Sequence, residues 1–148
     1  MPNKLGRELL LYATTTSPST ATDASDYTLV GLVTETNLNR SRSAIDVSTK
    51  DSGSNSTFIA GRRNETVSAS GIFDHTEDAG YTALSDAYEA DNGTIYLLVS
   101  STTNGDTEWH GTCIITDLSL SFGDDAASTF SMSAQVTGAL TEVTGTTT

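Results

Sequence analysis

Period-two alternation of apolar and polar residues dominates the chain. In FSMSAQV, Phe130, Met132, Ala134 and Val136 fall on one face and Ser131, Ser133 and Gln135 on the other. In ETVSASGIF, Val67, Ala69, Gly71 and Phe73 oppose Thr66, Ser68 and Ser70. In LSLSF, Leu118, Leu120 and Phe122 oppose Ser119 and Ser121. Strict alternation of this kind predicts half-buried strands. LLLYAT, YTLVGLVTET and TIYLLVSS are more continuously apolar and read as further strands. Along TEWHGTCIITDLSLSF the apolar phase shifts from odd positions (Trp109, Cys113, Ile115) to even ones (Leu118, Leu120), which predicts a β-bulge or bend near Ile115 to Asp117.

One segment, TEDAGYTALSDAYEADNG, has helical spacing instead. Thr76 or Asp78 can cap its start, and Asn92-Gly93 tolerates the positive φ that ends it. Tyr81, Leu84, Ser85 and Tyr88 form the stripe expected to pack on the core. Strands, one helix and further strands predict a mainly β single domain over residues 1–148. The expected form is an antiparallel β-sandwich or open barrel with one flanking α-helix. Residues 37–61 read as a long irregular loop between two strands. Residues 1–8 read as an extended N-terminal arm and residues 141–148 as a mobile C-terminal tail.

Composition explains the strand bias. Ser and Thr make up 45 of the 148 residues, and Thr fits a pleated strand better than a helix. Cys113 is alone, so no intramolecular disulfide is possible, and its apolar strand setting predicts a buried, inert thiol. The opening apolar run spans only residues 9–13, too short for a signal core or a membrane span.

The net charge is −12, unevenly spread. All seven Lys and Arg lie between Lys4 and Arg63, and 13 acidic residues but no Lys or Arg follow. Such a surface repels DNA, which argues against tight nucleic-acid binding. On charge alone its plainest role is solubility; it also suits charge complementarity between copies, or a surface that avoids sticking to a polyanion.

Candidate chemistry is sparse. Asp51-Ser52-Gly53 has the residues that surround a protease nucleophile, but in a loop rich in Ser, Gly and Asn it reads as turn chemistry. His75 with Glu77, and Glu108 with His110 near Asp106, could each offer two ligands from one strand face. The plainer reading is polar side chains at the surface, near a helix start and a hairpin. Asp124 and Asp125 sit in a turn. No phosphate-binding glycine loop, dinucleotide fingerprint or cysteine cluster occurs, so no enzyme and no cofactor are expected.

The order of several stretches is familiar. IDVSTKDSG (residues 45–53), GRRNETVSASGIFD (61–74) and STFSMSAQVTGAL (128–140), with the helical segment between them, resemble the major tail (tail tube) proteins of long-tailed bacteriophages. The resemblance is to the family typified by lactococcal phage tail proteins and shared with gene transfer agents, and it covers most of residues 27–140. It implies six copies in a ring and rings stacked into a hollow tube that conducts DNA from capsid to host. Expected partners are other copies and the tail terminator, distal tail and tape measure proteins. DNA would pass through without specific binding, and no membrane insertion is implied. The location would be the virion tail, assembled in the bacterial host cytoplasm. The long loop would reach an adjacent subunit, with Arg40, Arg42, Asp46, Lys50, Asp51, Arg62 and Arg63 as inter-subunit candidates. Ser68, Ser70, Ser119, Ser121, Ser131, Ser133 and Gln135 are the candidates for lining the lumen. The alternative is a non-catalytic β-sandwich binding module: an adhesin, a carbohydrate-binding domain or a capsid decoration protein.

Overall fold

The computed structural model describes residues 9–18, 24–30, 33–73, 79–101, 106–124 and 127–144. Its elements are β1 (Leu9–Thr14), β2 (Thr28–Leu29), β3 (Val33–Asp46), β4 (Phe58–Ile72), α1 (Ala79–Glu89), β5 (Thr94–Ser101), β6 (Thr107–Ser121) and β7 (Thr129–Thr144). The seven strands form one antiparallel sheet in the order β2-β1-β5-β6-β7-β4-β3. The mainly antiparallel β class with a single helix is as expected, although YTLVGLVTET divides between β2 and β3.

The alternation decides which sheet face is buried. Val67 and Ala69 of β4, Cys113 and Ile115 of β6, and Phe130, Met132, Ala134 and Val136 of β7 join one core with Ile95, Leu97 and Val99 of β5. Helix α1 covers this face, burying Leu84 and Ala87. Tyr81 meets Phe130 edge-on, with ring centroids 6.0 Å apart, and Phe73 at 4.8 Å. The stripe expected on the helix is therefore displaced. Tyr88 is 56% exposed, and the buried line runs Tyr81, Leu84, Ala87. Ala87 stands on the sheet side, and Tyr88, one residue and about 100° further round the helix, turns to solvent. Gly93, at φ 60, ends the turn after the helix, as the sequence predicted.

The predicted bulge is present. Ile115 pairs with Ala134 but Asp117 with Ser133, so β6 carries one extra residue. That single residue returns Leu118 and Leu120 to the core side, opposite Met132 and Phe130. A second irregularity kinks β7. Thr112 pairs with Thr137 but His110 with Thr141, and Gly138 in between takes a positive φ of 81°.

Two expected irregular segments are strands. Residues 37–61 are not a long loop: β3 and β4 pair as far out as Asp46↔Phe58, leaving only 47–57 as the connection. Both faces of this ribbon are largely exposed, so no alternation marks it, and backbone pairing sets its register. The tail expected over 141–148 is likewise strand as far as Thr144, which pairs with Thr107. Residues 1–8 and 145–148 lie outside the described residues.

Candidate functional site

The sheet face opposite the core is polar and small. In one row Ser119, Ser131 and Ser70 stand side by side across β6, β7 and β4, with Glu35 of β3 next. The adjacent row is Asp117, Ser133, Ser68 and Asn37. Beyond the serines, Ser121 pairs with Thr129, and Gln135 lies between Ile114 and Thr66. The structure thus brings all seven hydroxyl and amide candidates to one face of three neighbouring strands. The amide of Gln135 donates to Asn64 Oδ1 at 2.6 Å and to the Glu65 carbonyl at 2.9 Å. No Lys or Arg stands in these rows, so this face offers a polyanion no cation.

The charged candidates sit on the other notable feature, a two-stranded arm. The pairing of β4 with β7 reaches from Ile72 only as far as Thr66, so residues 58–65 pair with β3 alone. Arg40 lies at the root. Its guanidinium meets Glu65 at 3.3 Å and Glu142 at 3.1 Å. Glu65 is buried and also accepts the Leu140 backbone N–H at 2.9 Å. Arg40 is therefore engaged within its own chain at the root of the arm. Further out, Arg42 stands directly opposite Arg63. Like charges so placed repel. Among the described residues Arg42, Lys50, Arg62 and Arg63 form no ion pair, so four cations remain for a partner.

At the tip, Asp46 Oδ1 accepts the Ser48 N–H at 2.8 Å. Hydrogen bonds from the Ser48 side chain and backbone hold this carboxyl below its ordinary value. Asp51 lies in a 3-10 turn (Lys50–Ser52), where Ser52 Oγ accepts the Thr49 N–H at 2.9 Å. Ser52 thus fastens a turn. Ile45 and Ile59 face each other across the ribbon, about half exposed, and Phe58 is 55% exposed. These apolar side chains escaped the sequence reading. The available signal was the symmetry of AIDV and TFIAG about a polar turn, which is a hairpin signature.

The remaining candidates do not converge. Among the described residues no three potential ligands could hold a metal ion; His75, Glu77 and Asp125 lie outside them. Glu108 is buried and accepts the Ser100 hydroxyl at 2.8 Å, and burial lowers the pKa of neighbouring His110. Cys113 is fully buried, as expected, and burial pushes its thiol up to about 12. No helix among the described residues is long and apolar enough to cross a membrane.

Comparison with known proteins places this geometry. The family model described as phage tail tube protein matches residues 6–142. No curated protein matches the sequence. Among solved structures, the tail of an empty gene transfer agent particle, refined with C6 symmetry, is similar at TM-score 0.75 and 17% identity over 95% of this chain and 99% of that one. The SPP1 tail tube is similar at TM-score 0.76 and 16% identity over 97% and 80%. The tube-terminating cap of the anti-feeding prophage is similar at TM-score 0.68 and 13% identity over 98% and 93%.

Proposed function

The chain belongs to the phage tail tube protein family, and from that premise we propose that six copies close into a ring and that rings stack into a hollow conduit for DNA. As a member of a structural family it is a tube subunit and not an enzyme. The binding-module alternative is not favoured by that membership. The observation that carries the ring reading is the polar sheet face. Three adjacent strands present Ser, Thr and Gln in register, with no Lys or Arg among them. A channel that DNA must traverse quickly has to hydrate the phosphates without neutralising them, because each neutralised phosphate adds affinity and slows transit. Hydroxyls meet that requirement, so Ser68, Ser70, Ser119, Ser121, Ser131, Ser133 and Gln135 line the lumen in this arrangement.

Ring closure also accounts for the sheet edges. Strands β2 and β3 end the sheet, and an exposed edge invites uncontrolled pairing. Joining each copy's sheet to its neighbours' in a ring leaves no free edge. The β3–β4 arm then reaches an adjacent copy, where Arg42, Lys50, Arg62 and Arg63 meet an acidic surface. Tail terminator, distal tail and tape measure proteins are the further partners of such a tube, and the tail of a virion or gene transfer agent is its location. The SPP1 structure is of a tail tube and the gene transfer agent tail carries C6 symmetry, both of which agree with this reading. Negative-stain electron microscopy of the purified chain across a concentration series tests it. Hollow rings or tubes with sixfold end views are expected. A particle that stays monomeric both alone and on addition of preformed tail tips would overturn the ring.

A further inference from the structure

We infer that the β3–β4 arm is held at a fixed angle before any partner meets it, by a clamp that grips its root from both faces of the sheet. This is a property of the single subunit, whatever it assembles into. The need arises at a fork. Strand β4 pairs with β7 from Ile72 as far as Thr66, whose partner is Gln135. Past that pair β4 follows β3 into the arm, while β7 stays with β6. A lone two-stranded ribbon is marginal in water. At about 3.3 Å per residue Ala60 stands about 20 Å beyond the fork, so a swing of about 20° there would move it by about 7 Å.

Gln135 makes the grip on the face assigned to the channel. It is the last β7 residue paired with β4, and its side chain reaches past the fork. The amide donates to Asn64 Oδ1 at 2.6 Å and to the Glu65 carbonyl at 2.9 Å, so the first two residues that β4 no longer pairs with β7 are still tied to it. Glu65 makes the grip on the core face. Its Oε2 accepts the Leu140 N–H of β7 at 2.9 Å, and its Oε1 accepts the Arg40 Nε–H of β3 at 3.3 Å. Arg40 Nη1 then reaches back to Glu142 of β7 at 3.1 Å. Three strands are laced together where the ladder joins only two.

The backbone of β7 is shaped for the core-side grip. Between the pairs Thr112↔Thr137 and His110↔Thr141, residues 138–140 oppose Gly111 alone. Gly138 supplies the positive φ of 81° within this bulge. A Cβ on Gly111 would come within 3.3 Å of Leu140 Cδ1, so the glycine leaves the bulge room against β6. A bulge frees backbone groups from the ladder, and the freed Leu140 N–H is the one that Glu65 accepts. Swinging the arm away would leave a buried amide without an acceptor and a buried carboxylate without a donor, which opposes the motion. The cost of ordering the arm's root therefore falls on folding and not on assembly.

Spin labels on Ala60→Cys and Glu89→Cys, both exposed positions, report the arm's angle in the dispersed full-length subunit by pulsed electron paramagnetic resonance; Cys113 is buried and stays unlabelled. One narrow distance is expected for the otherwise unsubstituted chain. Glu65→Ala with Gln135→Ala removes both grips and is expected to spread that distance by about 7 Å, with circular dichroism confirming the fold. Gln135→Ala with Arg40→Ala, neither side chain buried, opens the channel-side grip and half of the other, and serves if the first variant does not fold. A parent as broad as its variants would overturn the fixed angle. Variants as narrow as the parent would overturn the clamp. Neither distance result depends on tube formation. Where the parent forms tubes, the variants are expected to need several-fold more subunit to do so, and an unchanged threshold would overturn the clamp's part in assembly.

Discussion

Glu65 is the residue on which the mounting of the arm turns. It leaves the last β4 position before pairing with β7 begins, is 4% exposed, and is held from two sides. Its Oε2 accepts the Leu140 N–H at 2.9 Å, and its Oε1 accepts the Arg40 Nε–H at 3.3 Å. In Glu65→Ala the Leu140 amide loses a charged acceptor in a buried place, a loss of roughly 1.5–3 kcal/mol. The Arg40 pair adds less than about 1 kcal/mol, since the guanidinium is 39% exposed and screened. The sum is about 3 kcal/mol. For a chain of this size each kcal/mol lowers the melting temperature by about 2–4 °C, so a fall of about 9 °C is expected. Thermal melts of the dispersed subunit by circular dichroism measure it. Glu65→Gln keeps an acceptor for Leu140 and should recover most of the loss; Arg40→Ala should lower the melt by only about 2 °C. A Glu65→Ala melt within about 2 °C of the parent would refute the assignment of Glu65 as the arm's anchor.

Other outcomes follow from the same geometry. Replacing both Arg62 and Arg63 with Glu should sharply reduce tube yield with little change in the subunit's melt, because neither has an ion pair among the described residues; unchanged tube length and yield would count against it. Ser52→Ala removes the exposed turn hydrogen bonds of its hydroxyl to Thr49 and should cost less than about 1 kcal/mol, with tube formation intact. Cys113 should resist a thiol reagent at pH 8 in the native protein and react only in denaturant, since burial raises its pKa to about 12; rapid native labelling would contradict its burial. Gly61→Ala should disturb the arm, because a Cβ there would come within 2.9 Å of the Ser43 carbonyl oxygen and closer still to its side chain. Lower tube yield at an unchanged subunit melt is the expected signature.

The sequence revealed those parts of the fold in which one face is buried. Val67 and Ala69, or Met132 and Ala134, are core because their neighbours are polar, and the break in that rhythm between Ile115 and Asp117 marked where the bulge lies. The arm was hidden for the converse reason. Arg42, Ser43 and Arg62 face solvent in the subunit, so nothing in their order distinguishes a paired ribbon from a loop. Glu65 carried a readable signal that went unread: it occupies the core-side phase of Val67 and Ala69, where a carboxylate needs partners. Those partners, Arg40 and Leu140, are 25 and 75 residues away, and no local pattern names them. Tyr88 misled because helical spacing fixes a stripe only to within one residue in either direction.

The bulge in β6 ties the core to the polar face. Were the same sequence paired with β7 without a bulge, side chains beyond Ile115 would keep their earlier phase, and a shift of one position exchanges the two faces of a strand. Leu118 and Leu120 would then stand among the serines, while Asp117 and Ser119 would pair with Met132 and Phe130 on the core side. With it, Leu118 packs against the core, and Ser119 enters a row with Ser131 and Ser70. The Thr116 hydroxyl donates to the Ser133 carbonyl at 3.1 Å, so the extra residue is itself fastened to the neighbouring strand. One local irregularity therefore serves two demands at once. It lets β6, 15 residues long, continue past the helix-covered core, and it keeps Ser119 and Ser121 on the side assigned to the channel. A straight strand could satisfy the core or the lumen along that length, but this sequence in unbroken phase could not satisfy both.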